Sequence, residues 1–336
     1  MRSIILAAAA LALLAQGAAA APLKIRVAWI TVPTSLAPIL FAKPELARHL
    51  GASYTIEPDR FSGSSQMTTA LASGELDIAE MSYSSFAFAV ENANMGELRI
   101  IADEIEDGVQ GYYSTKYMVL NDGPVKQVED LKGKVLATNV IGTGTDIGMR
   151  AMLRRHGMED KRDYTIIEAN YANMNALLLG GKAQLITTIE TFETPELMQK
   201  AHPLFTLRDV MGVSQILSLV AMKPFIEQNR VALTDFIEDY LRSLRWYLDP
   251  ANHAEAVKIV SDFTKVPAAH FAPWLLTKKD QYRDPNGRPD LDAMQHDVDV
   301  QKDMGFLPRP FTVRQYADLS VIEAADQRLA SEAKPN

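Results

Sequence analysis

The chain of 336 residues contains no cysteine. That excludes disulfides, thiolate metal sites, cysteine nucleophiles and a lipid-bearing cysteine behind an export leader. Histidine is scarce: His49, His156, His202, His253, His270 and His296 lie far apart, with no two at the i, i+3 or i, i+4 spacing of a helical metal pair. Positive charge is not in excess. Lys and Arg number 34 against 42 Asp and Glu, a formal charge of −8, which argues against nucleic acid or an anionic membrane as partner. Beyond residue 20 no apolar run approaches the ~20 residues that span a bilayer. Catalytic signatures are missing as well. Phe61-Ser62-Gly63-Ser64-Ser65 lacks the first glycine of a nucleophile elbow and a nearby base. Gly142-Thr143-Gly144-Thr145-Asp146-Ile147-Gly148 lacks the phosphate-binding lysine, and its glycines miss the dinucleotide register by one. No catalytic residue, metal site or cofactor is therefore expected.

What is present is an ordinary globular composition, 47% hydrophobic and 23% charged, in a chain long enough for two lobes. Met1 to Ala20 reads as a secretory leader: Arg2, an apolar run from Ile4 to Leu14, and small residues at Ala18-Ala19-Ala20. Its removal makes the mature chain one charge more negative. The expected product is a freely diffusing, monomeric periplasmic protein of a Gram-negative cell.

Strands and helices alternate through the first two thirds. Lys24–Trp29 alternates as a strand, and a helix is expected from Leu36 to His49. Tyr54–Glu57 and Ile78–Met81 read as strands, separated by a helix around Met67, Ala70 and Leu71. A helix starts at Ser82–Ser85, and Leu98–Ala102 is a further strand. The acids that follow, Asp103, Glu104, Glu106 and Asp107, are expected to form a solvated surface turn. After the strand Tyr113–Leu120 the same grammar restarts: strands at Val135–Thr138, Tyr164–Ile167 and Gln184–Thr188, with helices between, one of them from Met174 to Leu179 with Asn173 as its expected cap. A helix from Thr191 is expected to fade near His202-Pro203. Gln215–Met222 reads as a return crossing to the first lobe. The remainder is helical, and Ile237, Tyr240, Leu241, Leu244 and Leu248 hold helical spacing until Asp249-Pro250. This pattern predicts two α/β lobes, each a mostly parallel sheet flanked by helices. The divisions are 21–112 with 216–336 for lobe 1 and 113–215 for lobe 2.

Asp130–Arg150 is the most informative stretch. A strand runs into Gly142-Thr143-Gly144-Thr145, and Met149, Met152 and Leu153 then share one helical face. Such a loop presents unpaired backbone N–H groups, and its glycines admit close approach. A plain β–α turn with a threonine cap reads the same in isolation. The device recurs, however, at Trp29–Pro33, Ser62–Ser65 and Ser82–Ser85, each after a strand. Parallel sheets gather such loops at one edge, where ligands bind. Hydroxyls and helix N-termini favour an anionic group, while Trp29, Tyr83, Tyr112 and Phe192 offer apolar or stacking surface. Arg60 and Arg150 are candidates for charge pairing or plain surface residues.

Asp130-Leu131-Lys132-Gly133-Lys134, the strand after it and Thr143-Gly144-Thr145 resemble the nitrate/sulfonate/taurine-type periplasmic solute-binding proteins of ABC importers. Ala70–Ile78 (ALASGELDI) and Ala176–Gln184 (ALLLGGKAQ) fit the same family, once in each lobe. The resemblance implies a type II-like binding fold with the ligand cleft between the lobes, hinges near Gly111–Lys116 and Val213–Ser218, and a membrane permease with its ATPase as partner. It implies ligand contacts from Trp29, Ile30, Thr31, Ser62, Ser82, Tyr83, Thr143, Gly144, Thr145 and the stretch from Glu190 to Phe192. The expected ligand is a small organic anion, a sulfonate or an aromatic or aliphatic carboxylate. A sensor kinase as partner, or an enzyme related to pyrimidine-precursor synthesis, stays open as an alternative.

Overall fold

The computed structural model describes residues 21–93, 95–309 and 311–332. The leader read at Met1–Ala20 lies outside them. Among the described residues no helix is long and apolar enough to cross a membrane.

Among the described residues ten strands form two five-stranded sheets. The first contains β1 (Leu23–Trp29), β2 (Tyr54–Arg60), β3 (Ile78–Ser82), β4 (Leu98–Asp107) and β10 (Ser214–Met222), in the order β2-β1-β3-β10-β4. The second contains β5 (Lys116–Leu120), β6 (Val135–Thr138), β7 (Thr165–Glu168), β8 (Leu185–Thr188) and β9 (Ala201–Thr206), in the order β7-β6-β8-β5-β9. β1 pairs parallel with β2 and β3, whereas β10 is antiparallel to both β3 and β4. The second sheet repeats the plan, with β5 antiparallel to β8 and β9. Each sheet is therefore mixed, four strands pointing one way and the strand that enters from the other lobe opposing them.

That reversal follows from the connectivity. The chain leaves the first sheet at Asp107, enters the second at Lys116, and returns into β10 at Ser214. In register, Ser214 sits opposite Asp107, so the two crossings run side by side. Gly108 makes the approach possible. Its φ is +77°, and a Cβ there would collide with the carbonyl oxygen of Gly212. The Asp107 carboxylate secures the junction, accepting from Thr115 N–H and Thr115 Oγ1, both at 2.8 Å, and from Gln281 Nε2 at 3.0 Å.

Helices cover both faces. Those that position the cleft are α1 (Ala37–Leu40), α2 (Ser64–Ala72), α3 (Tyr83–Asn92), α4 (Gly144–Arg155) and α5 (Tyr171–Leu179). The long α6 (Arg230–Leu248) buries Ile237, Tyr240, Leu241 and Leu244 of the predicted stripe, together with Leu233, Phe236 and Tyr247, leaves Leu248 half-buried, and stops at Asp249-Pro250. One apolar cluster continues from the first lobe into the second, joining Tyr83 and Ile216 to Tyr117, Ile147 and Phe205.

Four expectations are corrected. The helix expected over Leu36–His49 is only the single turn α1, because Pro44 removes an N–H and disfavours helical backbone before it. The segment fading at His202-Pro203 instead enters β9. This is an edge strand, where a proline costs no ladder hydrogen bond on the open side. The cap of α5 is Asn170, one turn earlier than the Asn173 that the polar spacing suggests. The largest difference is at Asp103–Asp107, which is no solvated turn but the buried end of β4, with Asp103 and Glu104 each 1% exposed. Donors from remote segments satisfy these acids. Asp103 accepts from Gln215 Nε2 and Asp284 N–H, and Glu104 from Leu36 N–H, Ala37 N–H and the Tyr240 hydroxyl.

Candidate functional site

The ends of β1, β3, β6 and β8 converge with the starts of α2, α3 and α4 on a cavity of about 60 Å³ between the sheets. At roughly 10–15 Å³ per water, it holds a handful of water-sized groups. Ile30, Thr31, Ser82, Thr143, Gly144 and Thr145 of the expected contacts line it. So do residues from both lobes that the sequence did not single out, among them Ser35, Ser64, Glu80, Asn139, Tyr171 and Gln281.

The α4 loop is built as its glycines and threonines suggest, with one difference. Thr143 is the N-cap residue, yet its side chain makes no capping bond. Its hydroxyl instead donates to the Val140 carbonyl at 2.8 Å, and the Thr145 hydroxyl donates to Asn139 Oδ1 at 2.8 Å. The threonines thus hold the loop, and the first-turn N–H groups of Gly144 and Thr145 are left for whatever occupies the cavity. Across the cleft, α2 begins at Ser64 behind Gly63, again without a side-chain cap. Two helix N-termini, one from each lobe, therefore meet at the same space.

The lobes also touch each other directly. Ser84 Oγ donates to the Gly142 carbonyl at 2.9 Å and the Tyr83 hydroxyl to the Gly144 carbonyl at 3.1 Å. The Thr34 and Thr191 hydroxyls lie 3.0 Å apart. A Cβ on Gly144 would meet Ile216 Cδ1 at 2.5 Å and Tyr83 Cε1 at 3.0 Å, so glycine there permits this closure. The Ser82–Ser85 hydroxyls are largely engaged with one another, with Ser64 and with the opposing loop. They act more as a clasp between lobes than as free donors.

The remaining expected contacts sit elsewhere. Tyr83 lies behind the α4 loop, fully buried. Trp29, Ser62 and Phe192 line outer grooves of about 360 and 420 Å³ together with Arg60, and Thr31 is shared between these grooves and the cavity. Phe192 stacks on Tyr171 with ring centroids 5.8 Å apart. Tyr112 packs edge-on against Tyr282 in a separate groove of about 640 Å³. Arg60 donates to the Ile30 carbonyl, whereas Arg150 is bound to Asp146 and Asp160 and does not line the cavity. Glu190 is buried with both carboxylate oxygens unpartnered, while its neighbour Ile189 is the one that lines the cavity.

The electrostatics depart from a simple anion site. The lining includes no Arg, Lys or His, and Glu80 is its one acid. Positive charge lies one layer back, in the buried Arg283, which donates to the Thr34 carbonyl at 2.6 Å and stands among Glu104, Asp280 and Glu190. Burial and the nearby Asp280 hold the Glu190 carboxyl well above the usual range. No side-chain pattern pointed to Glu80, because it sits mid-strand among apolar residues. Among the described residues one group offers three metal-type ligands, His49, Asp235 and Glu238. Arg328 and Arg242 already neutralise its carboxylates.

A family profile described as NMT1/THI5 like matches residues 56–254. No curated protein matches the chain in sequence. Solved structures do share the fold. The alkanesulfonate-binding protein SsuA of Xanthomonas axonopodis pv. citri, bound to MOPS, aligns over 90% of this chain and 100% of its own, at 16% identity and a TM-score of 0.68. The periplasmic nitrate-binding protein NrtA of Synechocystis PCC 6803 covers 94% of this chain and 92% of its own, at 16% identity and a TM-score of 0.70. The periplasmic aliphatic sulphonate-binding protein SsuA of Escherichia coli covers 88% and 97%, at 19% identity and a TM-score of 0.63. The shared architecture is the two-lobed periplasmic-binding-protein fold.

Proposed function

The chain belongs to the NMT1/THI5-like family, and from that premise we propose that it is an exported, monomeric solute-binding protein. It captures a small organic anion, a sulfonate or carboxylate, between lobe 1 (21–112 with 216–336) and lobe 2 (113–215). It delivers that anion to the permease and ATPase of an ABC importer. The observation that carries this reading is the meeting of two helix N-termini without side-chain caps, one from each lobe, on one cavity between the sheets. Oriented N–H groups at helix starts favour an oxygen anion without a formal cation. The direct contacts between lobes support closure over a ligand, with the paired crossings at Gly108 and Gly212 as the flexing region.

A thermal-shift panel tests the proposal: aliphatic and aromatic sulfonates, aliphatic and aromatic carboxylates, nitrate, and uncharged pyrimidines as controls. A ligand at 100 times its Kd stabilises the folded state by ~2.7 kcal/mol. The expected result is a clear rise in Tm with at least one organic oxyanion and no consumption of it. A panel in which only uncharged or cationic compounds stabilise the chain contradicts the anion assignment.

A further inference from the structure

Glu80, the ionisable side chain in the cavity lining, has only half of its carboxyl group accounted for by the protein. It is 1% exposed, near the end of β3. Oε2 accepts from Ile30 N–H at 3.2 Å and from the Ser35 hydroxyl at 2.6 Å. Oε1 is buried and has no partner. Dry, unpaired carboxylate oxygens are costly, and no cation lines this cavity to offset the charge. Because Oε2 is already an acceptor twice over, a proton on this group belongs on Oε1, the atom left without a protein partner.

We propose that Glu80 works as a neutral carboxylic acid whose Oε1–H donates to an oxygen of the captured anion. It is then a specificity-determining residue, and capture carries one proton with it. This inference rests on the oxyanion reading of the cavity and adds a third donor to the two helix starts. It also removes the conflict of an acid inside an anion site.

The surrounding charges are consistent with a held proton. Glu104 on β4 repels a charge on Glu80, while Arg283, the Ser35 hydroxyl and Ile30 N–H oppose that effect. Arg26 on the neighbouring β1 is drawn away to Asp77, and β10 places Leu219 opposite Glu80. α2 begins with Ser64 and Ser65, and α3 with Tyr83, Ser84 and Ser85 behind the Ser82 cap. From the second lobe, Glu190 acts on Arg283 together with Asp280 and Glu104. Burial outweighs the favourable contacts and the group is pushed up to about 8. The site is therefore complete at pH 7 and loses its donor above pH 8. A site built around ionised Glu80 for an ammonium group would show the opposite sign.

The test uses the full mature chain and Glu80→Gln, whose amide keeps a donor at the Oε1 position and an acceptor at the Oε2 position. Probes are methanesulfonate, ethanesulfonate, acetate and benzoate, with benzylammonium as the cationic counterpart of benzoate. For the best oxyanion, wild-type affinity is expected to fall about tenfold between pH 7 and pH 9. Glu80→Gln is expected to bind within about threefold of wild type at pH 7 and to show no such fall. Independently of ligand, the infrared difference spectrum of wild type minus Glu80→Gln at pH 7 should show a protonated-carboxyl stretch, while the bands of the other buried acids, Asp103, Asp297 and Glu190 among them, stay in both proteins. If that band is absent, or if oxyanion affinity is flat with pH in both proteins, Glu80 does not have this role although the anion site stands. If benzylammonium binds and no oxyanion does, both this inference and the anion reading fall together.

Discussion

At the scale of single residues, the molecule is governed by buried acids more than by surface ones. Glu106 is the clearest instance outside the cleft. Burial, with Asp290 and Asp284 nearby, raises its carboxyl to about 7. Asp103, Asp297 and Glu190 are held well above their ordinary range for the same leading reason. A carboxyl whose folded pKa exceeds its unfolded value binds its proton more tightly when folded. Its stabilising contribution is then full below the unfolded pKa and is lost as pH rises through the folded one. For Glu106 that window runs from about pH 4.5 to about 7. Thermal melts should accordingly give a higher Tm at pH 5.5 than at pH 8.5. Glu106→Gln should gain Tm relative to wild type at pH 8.5 and lose most of that gain at pH 5. An unchanged difference across that range would place the pH response elsewhere. None of this was legible from the sequence, where Asp103–Asp107 looks like any solvated acidic turn. Donors as remote as Asp284 N–H and the Tyr240 hydroxyl make burial possible, and local pattern does not register them.

At the scale of elements, alternation and helix spacing located most of the fold. α6 and its stop at Asp249-Pro250, β10 as the returning segment, and the strand–loop–helix at Gly142–Thr145 all follow from residues close in the chain. The misreadings come from tertiary context. The helix after Leu36 is cut short by Pro44, and β9 hides a proline on a sheet edge. The α4 loop presents backbone N–H groups as its glycines suggest, but its threonine hydroxyls bond Val140 and Asn139 in place of capping the helix. Glu80 escaped notice because one acid in a buried strand has no periodic signature. The crossing segments yield the prediction proper to this scale. Gly108→Ala combines a left-handed φ with a collision at the Gly212 carbonyl, and should destabilise the chain by roughly 1–3 kcal/mol. Urea unfolding measures it. A variant as stable as wild type would show that the two crossings are free to separate without cost.

For the whole molecule, two mixed sheets joined by paired crossings place the starts of α2 and α4 on opposite sides of one cavity. Thr31 lines both this cavity and the outer grooves bearing Trp29, Ser62 and Phe192, and Tyr171 is shared with one of those grooves. On the proposed reading, the clasp of Ser84, Tyr83 and the Thr34–Thr191 pair would close the lobes over a small anion. A larger ligand extends toward the mouth. A crystal structure of the chain with the most stabilising oxyanion tests this most directly. The account predicts the anionic group within hydrogen-bond distance of the Gly144 and Thr145 N–H groups and of Glu80 Oε1. Density for the anion seated only in the outer groove beside Trp29 and Phe192, with the cavity unchanged, would contradict it.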